Sequence, residues 1–385
     1  MAIGEWTSGL QQWLREQATE AGFDTAGIAS VDAADSHTPE NQIDAERFAA
    51  WVAAGRAGEM DYLKRRDENG ILLRSGVQVA IPWARSIIVC ALNYNAVGPL
   101  SIDPAPPGAG WIARYAWSGR PASTESQQTG ELLPTDYHDQ LLSRLRQVES
   151  ALRERLPCET RCYVDTGPIV ERSVAAKAGV GWIGKNTCVI NQELGSWLLL
   201  GVIVTSIPVA QCIELPIAPD RCGSCTRCID ACPTDALVAP HQMDASRCIA
   251  YLTIEKKGVI PEELREPIGR QVFGCDICQD VCPWNRKAAT RRAPAAASEG
   301  MFPRPQMINP ALEWLGGMDA AEFKRWFKGS PLERTRRKRL QRNVAIAMGN
   351  SGEHKFIPQL KVWSVADDPV LAEAAEWAIT RINSG

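Results

Sequence analysis

The sequence predicts an α+β protein built from more than one domain, and three observations support this class. A chain of 385 residues exceeds the roughly 100 to 200 residues of one domain, and its 45% hydrophobic and 23% charged residues are typical of globular proteins. Helical and strand-like patterns alternate over residues 1–210, a cysteine-rich segment follows, and the remaining chain has helical periodicity. We therefore expect three units, at residues 1–210, 211–290 and 291–385.

The N-terminal unit is expected to fold around one sheet with flanking helices. Apolar residues at helical spacing predict its helices, and short apolar runs predict its strands. Two stretches rich in Pro, Gly, Ser and Thr within residues 97–134 predict long loops, which in compact domains are often lids or binding loops. In chain order the expected helices are Trp6–Ala21, Ala45–Ala54, Tyr137–Arg155 and Ile169–Ala178, and the expected strands are Thr25–Ala29, Ser86–Leu92, Cys162–Asp165, Thr187–Ile190 and Ser196–Ser206.

The cysteine-rich segment predicts iron-sulfur clusters. The chain has 13 cysteines, and eight of them occur within residues 222–282. The first four follow the spacing C-x2-C-x2-C-x3-C-P of two-cluster ferredoxins, in which the fourth cysteine binds the other cluster. A second copy lacks one cysteine, which only Cys248 can supply. The expected ligand sets are Cys222, Cys225, Cys228 and Cys282 for one [4Fe-4S] cluster, and Cys275, Cys278, Cys248 and Cys232 for the other.

Two tetrahedral zinc sites are the alternative to clusters in this segment, because paired C-x2-C knuckles would suffice for zinc. Zinc does not require the triple cysteine run or the prolines after Cys232 and Cys282, so the pattern favours clusters. The five cysteines outside the segment are expected to be buried free thiols, and they are Cys90, Cys158, Cys162, Cys188 and Cys212.

A candidate active site follows the expected strand that ends at Asp165. The acid precedes a helix and the sequence GVGWIGKNT, in which Gly179, Gly181 and Gly184 spell G-x-G-x-x-G. A dinucleotide site would need a strand before the glycines and a helix after them, whereas the predicted order is the reverse. We therefore expect the glycines to admit a different bulky cofactor. Asp165 is either a proton donor or a helix N-cap.

The third unit carries an excess of positive charge. Residues 286–342 hold 14 Lys and Arg against 5 Asp and Glu, although the whole chain has a formal net charge of -3. The run is either a solvated face or a phosphate-binding patch. Three short helices are expected after it, within residues 339–350, 356–365 and 370–382, and they resemble one or two units of an α-solenoid. The chain has no apolar run of about 20 residues, so the cytoplasm is the expected compartment.

The ordered set of motifs resembles the epoxyqueuosine reductase family. The segments that carry the resemblance are VDTGPIVERSVAAKAGVGWIGKNTCVI, CGSCTRCIDACPTDAL, CIAYLTIE, FGCDICQDVCPWN and FKGSPLERTRRKRLQRNVAIAMGNSG. The resemblance implies a nitroreductase-like cobalamin-binding α/β domain, a ferredoxin-like double-cluster domain and a HEAT-like α-helical tail that binds tRNA. It also implies reduction of epoxyqueuosine to queuosine at the wobble position of GUN-anticodon tRNAs, those for Asp, Asn, His and Tyr.

The resemblance further implies the roles of individual residues. Asp165 is expected to be the catalytic proton donor, and cob(II)alamin is expected to be reduced through the clusters by an external donor such as flavodoxin or ferredoxin. The enzyme is expected to be a monomer. The cobalamin contacts implied are Asp165, Arg74, Arg114, Tyr115, Val189, Leu200, Thr253 and Glu255. The tRNA contacts implied are Arg336, Arg337, Lys338, Arg339 and Arg342.

The sequence departs from the family pattern at one motif. The family has a compact RYA-x-G-x-DYH motif, but here about fifteen extra residues separate Arg114-Tyr115-Ala116 from Asp136-Tyr137-His138. Leu141 occupies the glycine position of a cobalt-binding D-x-H-x-x-G motif, so His138 is not expected to bind cobalt. Two other functions remain open at this point: a cobalamin-dependent enzyme like the reductive dehalogenases, and a non-catalytic ferredoxin-type electron carrier with a nucleic-acid-binding tail.

Overall fold

The computed structural model describes residues 4–31, 39–122, 132–210, 217–291 and 300–384. Cys212 therefore lies outside the described residues, as do residues 292–299. The helices, in chain order, are α1 Ser8–Glu20, α2 Pro39–Ala53, α3 Val77–Ala80, α4 Tyr137–Arg155, α5 Glu171–Lys177, α6 Arg227–Asp230, α7 Ile249–Ile254, α8 Glu262–Ile268, α9 Ile277–Asp280, α10 Pro283–Arg291, α11 Leu312–Gly317, α12 Ala320–Phe327, α13 Arg336–Ser351, α14 Ile357–Trp363 and α15 Pro369–Ser384.

The strands are shorter than the helices and belong to several sheets. They are β1 Thr25–Ser30, β2 Ser86–Asn93, β3 Trp111–Ile112, β4 Ser118–Pro121, β5 Leu132–Pro134, β6 Thr160–Tyr163, β7 Trp182–Ile183, β8 Val189–Ile190, β9 Leu198–Thr205, β10 Leu237–Ala239, β11 Gln242–Met243, β12 Gln271–Phe273 and β13 Phe302–Pro303. Among the described residues, no helix is long and apolar enough to cross a lipid bilayer.

The central sheet of the N-terminal unit has four strands in the order β1-β2-β9-β6, and all neighbours are antiparallel. Successive residues of β2 point to opposite faces. Ile88 and Cys90 pack in a core with residues of α1 and α4, whereas Ile87 and Val89 pack with residues of α5. The sheet is therefore covered on both faces, and the expected α+β class is confirmed.

Close backbone contact explains a glycine in this sheet. An added Cβ at Gly27 in β1 would lie 2.0 Å from the carbonyl oxygen of Ala178, directly after α5. Only glycine allows the helix end to approach the strand this closely. This contact holds α5, and with it the loop that carries Asp165, against the sheet.

The region expected to form long loops contains short strands with distant partners. β3 pairs in parallel with β12 of the cysteine-rich unit, and β4 pairs with both β5 and β13. The expectation of loops throughout residues 97–134 is therefore wrong for these strands. Their hydrogen-bond partners lie more than 150 residues away in the cases of β12 and β13, and local sequence patterns do not report such pairing.

One hydrophobic core joins segments from all three expected units. It contains Ile112 and Trp117 from the first, Leu252 and Phe273 from the second, and residues of α11, α13, α14 and α15 from the third. The expected units therefore do not have three separate cores. The C-terminal helices are built onto the cysteine-rich segment, and this arrangement positions the basic residues before α13 close to the candidate site.

Candidate active site and cluster-binding cysteines

Seven of the eight clustered cysteines fall into two groups of interacting side chains: Cys222, Cys228 and Cys282 in one, and Cys232, Cys248, Cys275 and Cys278 in the other. Burial and the nearby thiolates of Cys282 and Cys222 raise the pKa of Cys228 to about 11. In the second group, burial and the thiolates of Cys248 and Cys232 raise the pKa of Cys275 well above its usual value. Each group thus combines cysteines from both motifs, as the expected crossed ligand sets require.

The chemistry of the donors is that of an iron-sulfur site. All eight clustered side chains are cysteines, and thiolates are the ligands of [4Fe-4S] clusters. Within the described parts of the chain, no three His, Cys, Asp or Glu side chains form a group that could hold a single metal ion.

Asp165 lies in the loop between β6 and α5 and has a strained backbone. Its φ is +58°, in the left-handed region that costs a non-glycine residue roughly 1 to 2 kcal/mol. The side chain is nevertheless 64% exposed. The first helical residue of α5 is Glu171, and no side chain caps that helix. The N-cap alternative for Asp165 is therefore wrong, and such strain in an exposed acid is typical of a functional site.

Three side chains from the start of α4 connect to Asp165. The hydroxyl of Tyr137 donates to Asp165 Oδ2 at 3.0 Å, and Nε2 of His138 lies 3.8 Å from the same oxygen. On the other side of the imidazole, His138 Nδ1 lies 2.7 Å from Asp136 Oδ1. Asp136 is also the N-cap of α4, because its carboxylate accepts the backbone N–H of His138. The helix cap thus fixes the histidine between two carboxylates.

The charges in this group determine which side chains are ionised. The His138 imidazole and the Tyr137 hydroxyl hold the pKa of Asp165 at about 2. Burial lowers the pKa of His138, but its contacts with Asp136 and Asp165 outweigh burial and raise it. At neutral pH Asp165 is therefore a carboxylate, and the nearest proton lies on its neighbours.

Arg334 brings the C-terminal unit into this site. Its Nη2 lies 2.6 Å from His138 Nδ1 and 3.4 Å from Asp136 Oδ2, and its guanidinium is 5.9 Å from the centre of the Tyr137 ring. Tyr115 packs edge-on against Tyr137 with ring centres 5.7 Å apart. Tyr137, His138 and Arg334 are site residues that the sequence patterns did not single out. The available signal for the first two was the DYH part of the family motif, whereas no local pattern indicates Arg334.

Arg172 lies between Asp165 and the second cysteine group. The negative charges of Cys188 and Asp165 raise the pKa of Arg172 despite the opposing effect of burial, and Cys278 and Cys248 add to the effect. Its guanidinium also donates to the carbonyl oxygen of Thr187 at 3.1 Å. The group of Cys275, Cys278, Cys248 and Cys232 is thus the one that borders the Asp165 site.

The rim on the other side of Asp165 combines aromatic and charged groups. Arg74 donates to the carbonyl oxygen of Ile169 at 3.0 Å and lies 5.6 Å from the centre of the Tyr62 ring. Tyr62 is 46% exposed, and burial together with the charges of Glu255 and Asp165 raises its pKa to about 12. Arg74 and Tyr115, which were expected to contact cobalamin, therefore lie near Asp165, and Glu255, expected to do the same, lies near Tyr62.

The structure gives Arg114 a different role from the one expected. Arg114 is buried and forms a 3.5 Å ion pair with Asp280, while its backbone N–H donates to Asp276 Oδ2 at 2.6 Å. Its guanidinium also lies 4.7 Å from the centre of the Trp197 ring. The expectation that this side chain contacts cobalamin is wrong, because it instead joins the N-terminal unit to the cysteine-rich helix α9.

The other expected cobalamin contacts lie in secondary structure. Val189 and Thr253 are buried, and the Thr253 hydroxyl donates to Ile249 O and accepts the N–H of Gly274. Leu200 is half-buried in β9. Thr253 is fully enclosed and its carbonyl oxygen accepts Asn343 Nδ2 at 2.8 Å, so neither its side chain nor its backbone is exposed to a cofactor.

The G-x-G-x-x-G glycines are explained by packing within the chain. An added Cβ at Gly181 would lie 2.3 Å from Ile190 O, and one at Gly184 would lie 2.4 Å from the Ile190 side chain. Gly179 has a φ of +71° directly after α5. The expectation that these glycines admit a cofactor is therefore wrong, since the β7–β8 hairpin itself requires two of them.

The expected tRNA-binding residues divide into exposed and buried ones. Arg336 and Lys338 are exposed, and Arg337 is half-buried. Arg339 donates to the carbonyl oxygens of Thr335 and Ile254. Arg342 is 1% exposed and donates to the carbonyl oxygens of Leu252, Lys256 and Gly258. The expectation that Arg342 contacts tRNA is wrong, because its guanidinium is enclosed and used within the fold.

Comparison with known proteins identifies the family. The family model described as epoxyqueuosine reductase QueG, DUF1730, matches residues 74–166, and the model of a 4Fe-4S double cluster binding domain matches residues 221–285. The epoxyqueuosine reductase of Xanthomonas campestris pv. campestris is 35% identical over 372 residues, which cover 96% of this chain and 95% of that protein. The chain belongs to the epoxyqueuosine reductase family. It is therefore an oxidoreductase, and the non-catalytic carrier is set aside.

Other epoxyqueuosine reductases agree over nearly the whole chain. The one from Gloeobacter violaceus is 38% identical and covers 88% of this chain and 96% of its own length. A crystal structure of an epoxyqueuosine reductase with a tRNA-Tyr epoxyqueuosine-modified stem loop has a TM-score of 0.79 and 31% identity, over 97% of this chain and 90% of that one. Another, from Bacillus subtilis, has an aspartate catalytic loop swung out of its active site, with a TM-score of 0.78 and 30% identity.

Proposed function

We propose that this chain reduces epoxyqueuosine to queuosine at the wobble position of GUN-anticodon tRNAs, those for Asp, Asn, His and Tyr. The observation that carries the proposal is the position of Asp165. This exposed acid is held in a strained conformation between a set of proton donors at the start of α4 and the second group of cluster cysteines. The family supports the substrate, as does the relative whose structure contains an epoxyqueuosine-modified stem loop.

The reaction requires both electrons and protons. Removing an epoxide oxygen as water breaks two C–O bonds, forms one C=C bond, and consumes two electrons and two protons. Alkoxide is a poor leaving group, so an acid must be within hydrogen-bond reach of the departing oxygen. We assign that position to Asp165. The aspartate loop named in the Bacillus subtilis structure supports an aspartate in this role.

Cobalamin is the cofactor we propose at this site. When bound and reduced, it supplies a cobalt nucleophile strong enough to attack an epoxide carbon. The residues present fit a large macrocycle with polar side groups, because the open face around Asp165 combines the exposed ring of Tyr62, the exposed side chain of Val170 and the guanidinium of Arg74. Arg74, Tyr115, Glu255 and Leu200 would hold it.

The cluster cysteines define the route for the electrons. We propose one [4Fe-4S] cluster on Cys222, Cys225, Cys228 and Cys282 and the other on Cys275, Cys278, Cys248 and Cys232, with the second nearer to Asp165. The intervening residues Gly223, Ser224, Thr226 and Arg227 of the first motif are exposed, which makes its cluster the entry point for an external donor such as flavodoxin or ferredoxin. Arg114, paired with Asp280, would keep the second cluster at a fixed distance from the site.

The C-terminal helices form the tRNA-binding part of the proposal. We propose residues 1–210 as a nitroreductase-like catalytic unit, 211–290 as the ferredoxin-like unit and 291–385 as a HEAT-like unit, in a cytoplasmic monomer. Arg336 and Lys338 are exposed at the start of α13, and Lys324, Arg325 and Lys328 are exposed on α12. These side chains can neutralise phosphates, and Arg334 would lie where the anticodon loop enters the site.

The test is conversion of a defined substrate by the purified protein. The holoenzyme, with cobalamin and a low-potential chemical reductant, is incubated anaerobically with an anticodon stem loop that contains epoxyqueuosine. Mass spectrometry of the digested nucleosides should show loss of the epoxide oxygen and gain of queuosine. An unchanged stem loop, with clusters and cobalamin both reduced, would exclude this activity.

A further inference from the structure

The proposed reaction consumes two protons, but the acid at the site holds none at rest. The Asp165 carboxylate is kept ionised by the neighbouring His138 and Tyr137. A single carboxyl group could deliver one proton before being reloaded. A proton store within direct reach of Asp165 would reload it for the second transfer. The start of α4 provides the candidate.

The geometry points to His138 as that store: we propose that it passes protons through Nε2 to Asp165, which delivers them to the departing oxygen. This inference rests on the proposed function. The imidazole lies between two carboxylates, with Nδ1 2.7 Å from the Asp136 carboxylate and Nε2 3.8 Å from the Asp165 carboxylate. The Asp136 side chain is 15% exposed and that of Asp165 is 64% exposed. The chain of groups therefore runs from the interior to the open face.

Asp136 defines the direction in which the proton moves. Its carboxylate accepts both the backbone N–H and the Nδ1–H of His138, so the ring is held by a helix cap. An imidazole fixed through Nδ1 presents Nε2 to the outer carboxylate, as in other carboxylate–histidine pairs. Asp165 collects a proton from Nε2 whenever the departing oxygen withdraws one. A small movement of the Asp165 loop would close the 3.8 Å gap to hydrogen-bond length.

The charged groups facing His138 come from four elements. Asp136 at the cap of α4 and Asp165 after β6 favour its protonated form, and Glu171 at the start of α5 lies nearby. Arg334, from the segment before α13, touches both ring nitrogens, with Nη2 2.6 Å from Nδ1 and 3.0 Å from Nε2, and its charge opposes protonation. Burial also opposes protonation, yet the two carboxylates outweigh both effects and raise the pKa of His138. Removal of Arg334 should therefore raise the pKa of His138 further and free Nε2 to face Asp165.

The two proton transfers account for both protons that removal of the epoxide oxygen as water consumes. The first proton converts the alkoxide, formed as one C–O bond breaks, into a hydroxyl group. The second leaves with that hydroxyl as water when the other C–O bond breaks and the C=C bond forms. Two electrons come from the external one-electron donor through the clusters. His138 gives up a proton for each transfer and is reprotonated from solvent, since its side chain is 13% exposed.

The test compares His138→Asn with Tyr137→Phe in the cobalamin-loaded holoenzyme, on the epoxyqueuosine stem loop. Asn keeps the hydrogen bond to Asp136 but holds no transferable proton, whereas Phe removes one hydrogen bond to Asp165 and leaves the histidine. In wild type we expect kcat to fall at alkaline pH as His138 loses its proton. His138→Asn should lower kcat by about 10²-fold and abolish that fall. Tyr137→Phe should keep that fall. Imidazole added to His138→Gly should restore part of kcat.

Each result gives a separate answer. A His138→Asn variant with wild-type kcat and the wild-type alkaline fall would overturn the role of His138. A loss of kcat without a change in the pH profile, or without rescue by imidazole, would assign His138 to structure alone and also overturn the inference. Iron content and cobalamin absorbance of each variant exclude misfolding. Absence of queuosine formation by the wild-type enzyme would contradict the proposed function itself, whereas failure of the His138 proposal would be seen only in the variants.

Discussion

Asp165 combines backbone strain, exposure and a low pKa in one residue. The left-handed φ aims its carboxylate toward Tyr137 and His138, and the same contacts keep the pKa at about 2. The backbone strain opposes stability, whereas the contacts that lower the pKa stabilise the ionised carboxylate and hold the strained residue in place. Two predictions at the scale of single residues follow from this arrangement.

Replacing Asp165 by Asn should abolish most turnover while leaving the fold intact. Asn tolerates the left-handed conformation and can accept the Tyr137 hydrogen bond, but it cannot transfer a proton. We expect kcat for the stem loop to fall by about 10²-fold or more, with iron content and cobalamin binding unchanged. Asp165→Gly is the matched control for strain and should be as stable as wild type within about 1 kcal/mol. Near wild-type turnover in Asp165→Asn would remove this residue from the mechanism.

Glu171 should make stability depend on pH. Burial and the adjacent Asp165 raise its pKa to about 8 in the folded protein, against an ordinary value of 4.5. The folded state thus favours the protonated carboxyl, and wild-type stability should decrease as pH rises from 4.5 through 8. Glu171→Gln cannot ionise and should lose less stability over that range. Thermal unfolding at pH 5.5 and 8.5 checks this; equal changes in both proteins would contradict it.

At the scale of elements, α13 has two kinds of arginine. Arg336 and Lys338 are exposed at its start, whereas Arg342 is enclosed and binds three carbonyl oxygens in and after α7. A charge run in a sequence does not reveal which side chains turn inward. The helix therefore serves both as a basic surface and as an attachment to the cysteine-rich unit.

The two kinds of arginine should respond differently to substitution. Arg342→Ala leaves three buried carbonyls without donors and should lower the free energy of unfolding by about 3 kcal/mol. The double substitution Arg336→Ala and Lys338→Ala should leave the melting temperature unchanged but weaken stem-loop binding. In a plot of the logarithm of the binding constant against the logarithm of the salt concentration, each lost phosphate contact should reduce the slope by about 0.7 to 0.9. Thermal unfolding and binding at several salt concentrations measure both. If the double substitution leaves this slope unchanged, Arg336 and Lys338 do not contact phosphates of the stem loop.

Elements stabilised by local patterns were predicted well, and those made by distant contacts were not. Tyr137–Arg155 is a helix with the expected bounds, and β1, β2 and β9 lie within a residue or two of their predicted positions. α2 begins at Pro39, earlier than expected. The short strands β3 and β4 depend on partners far along the chain. The same limit applies to the site, because no local pattern brings Arg334 to His138.

At the scale of the whole molecule, the two cysteine groups cross between motifs. In the proposed ligand sets Cys248 supplies the ligand that the second motif lacks, and its pKa is raised by burial and by the thiolate of Cys232. Neither motif is therefore a complete cluster site alone. The electron path depends on the tertiary structure that brings both motifs together.

Replacing Cys248 by Ser should remove about one of the two clusters, because it takes away a ligand of the second group. Iron and sulfide analysis of anaerobically purified protein measures the loss. Cys158→Ser is the control, since Cys158 lies in the N-terminal unit and should leave iron content unchanged. Cys188 is unsuitable as a control because its thiol contacts Cys278. Full iron content in Cys248→Ser would refute the assignment.

The shared hydrophobic core bears on how such a protein can be recombined with its relatives. Ile112, Phe273 and the residues of α13 lie in one core, so each unit completes the interior of the others. In a chimera that takes only its C-terminal helices from a distant relative, core side chains from two different proteins would meet and would not pack well against each other. To alter tRNA binding, single exposed side chains of α12 and α13 should therefore be exchanged between relatives, because exchange of whole units would disrupt the shared core.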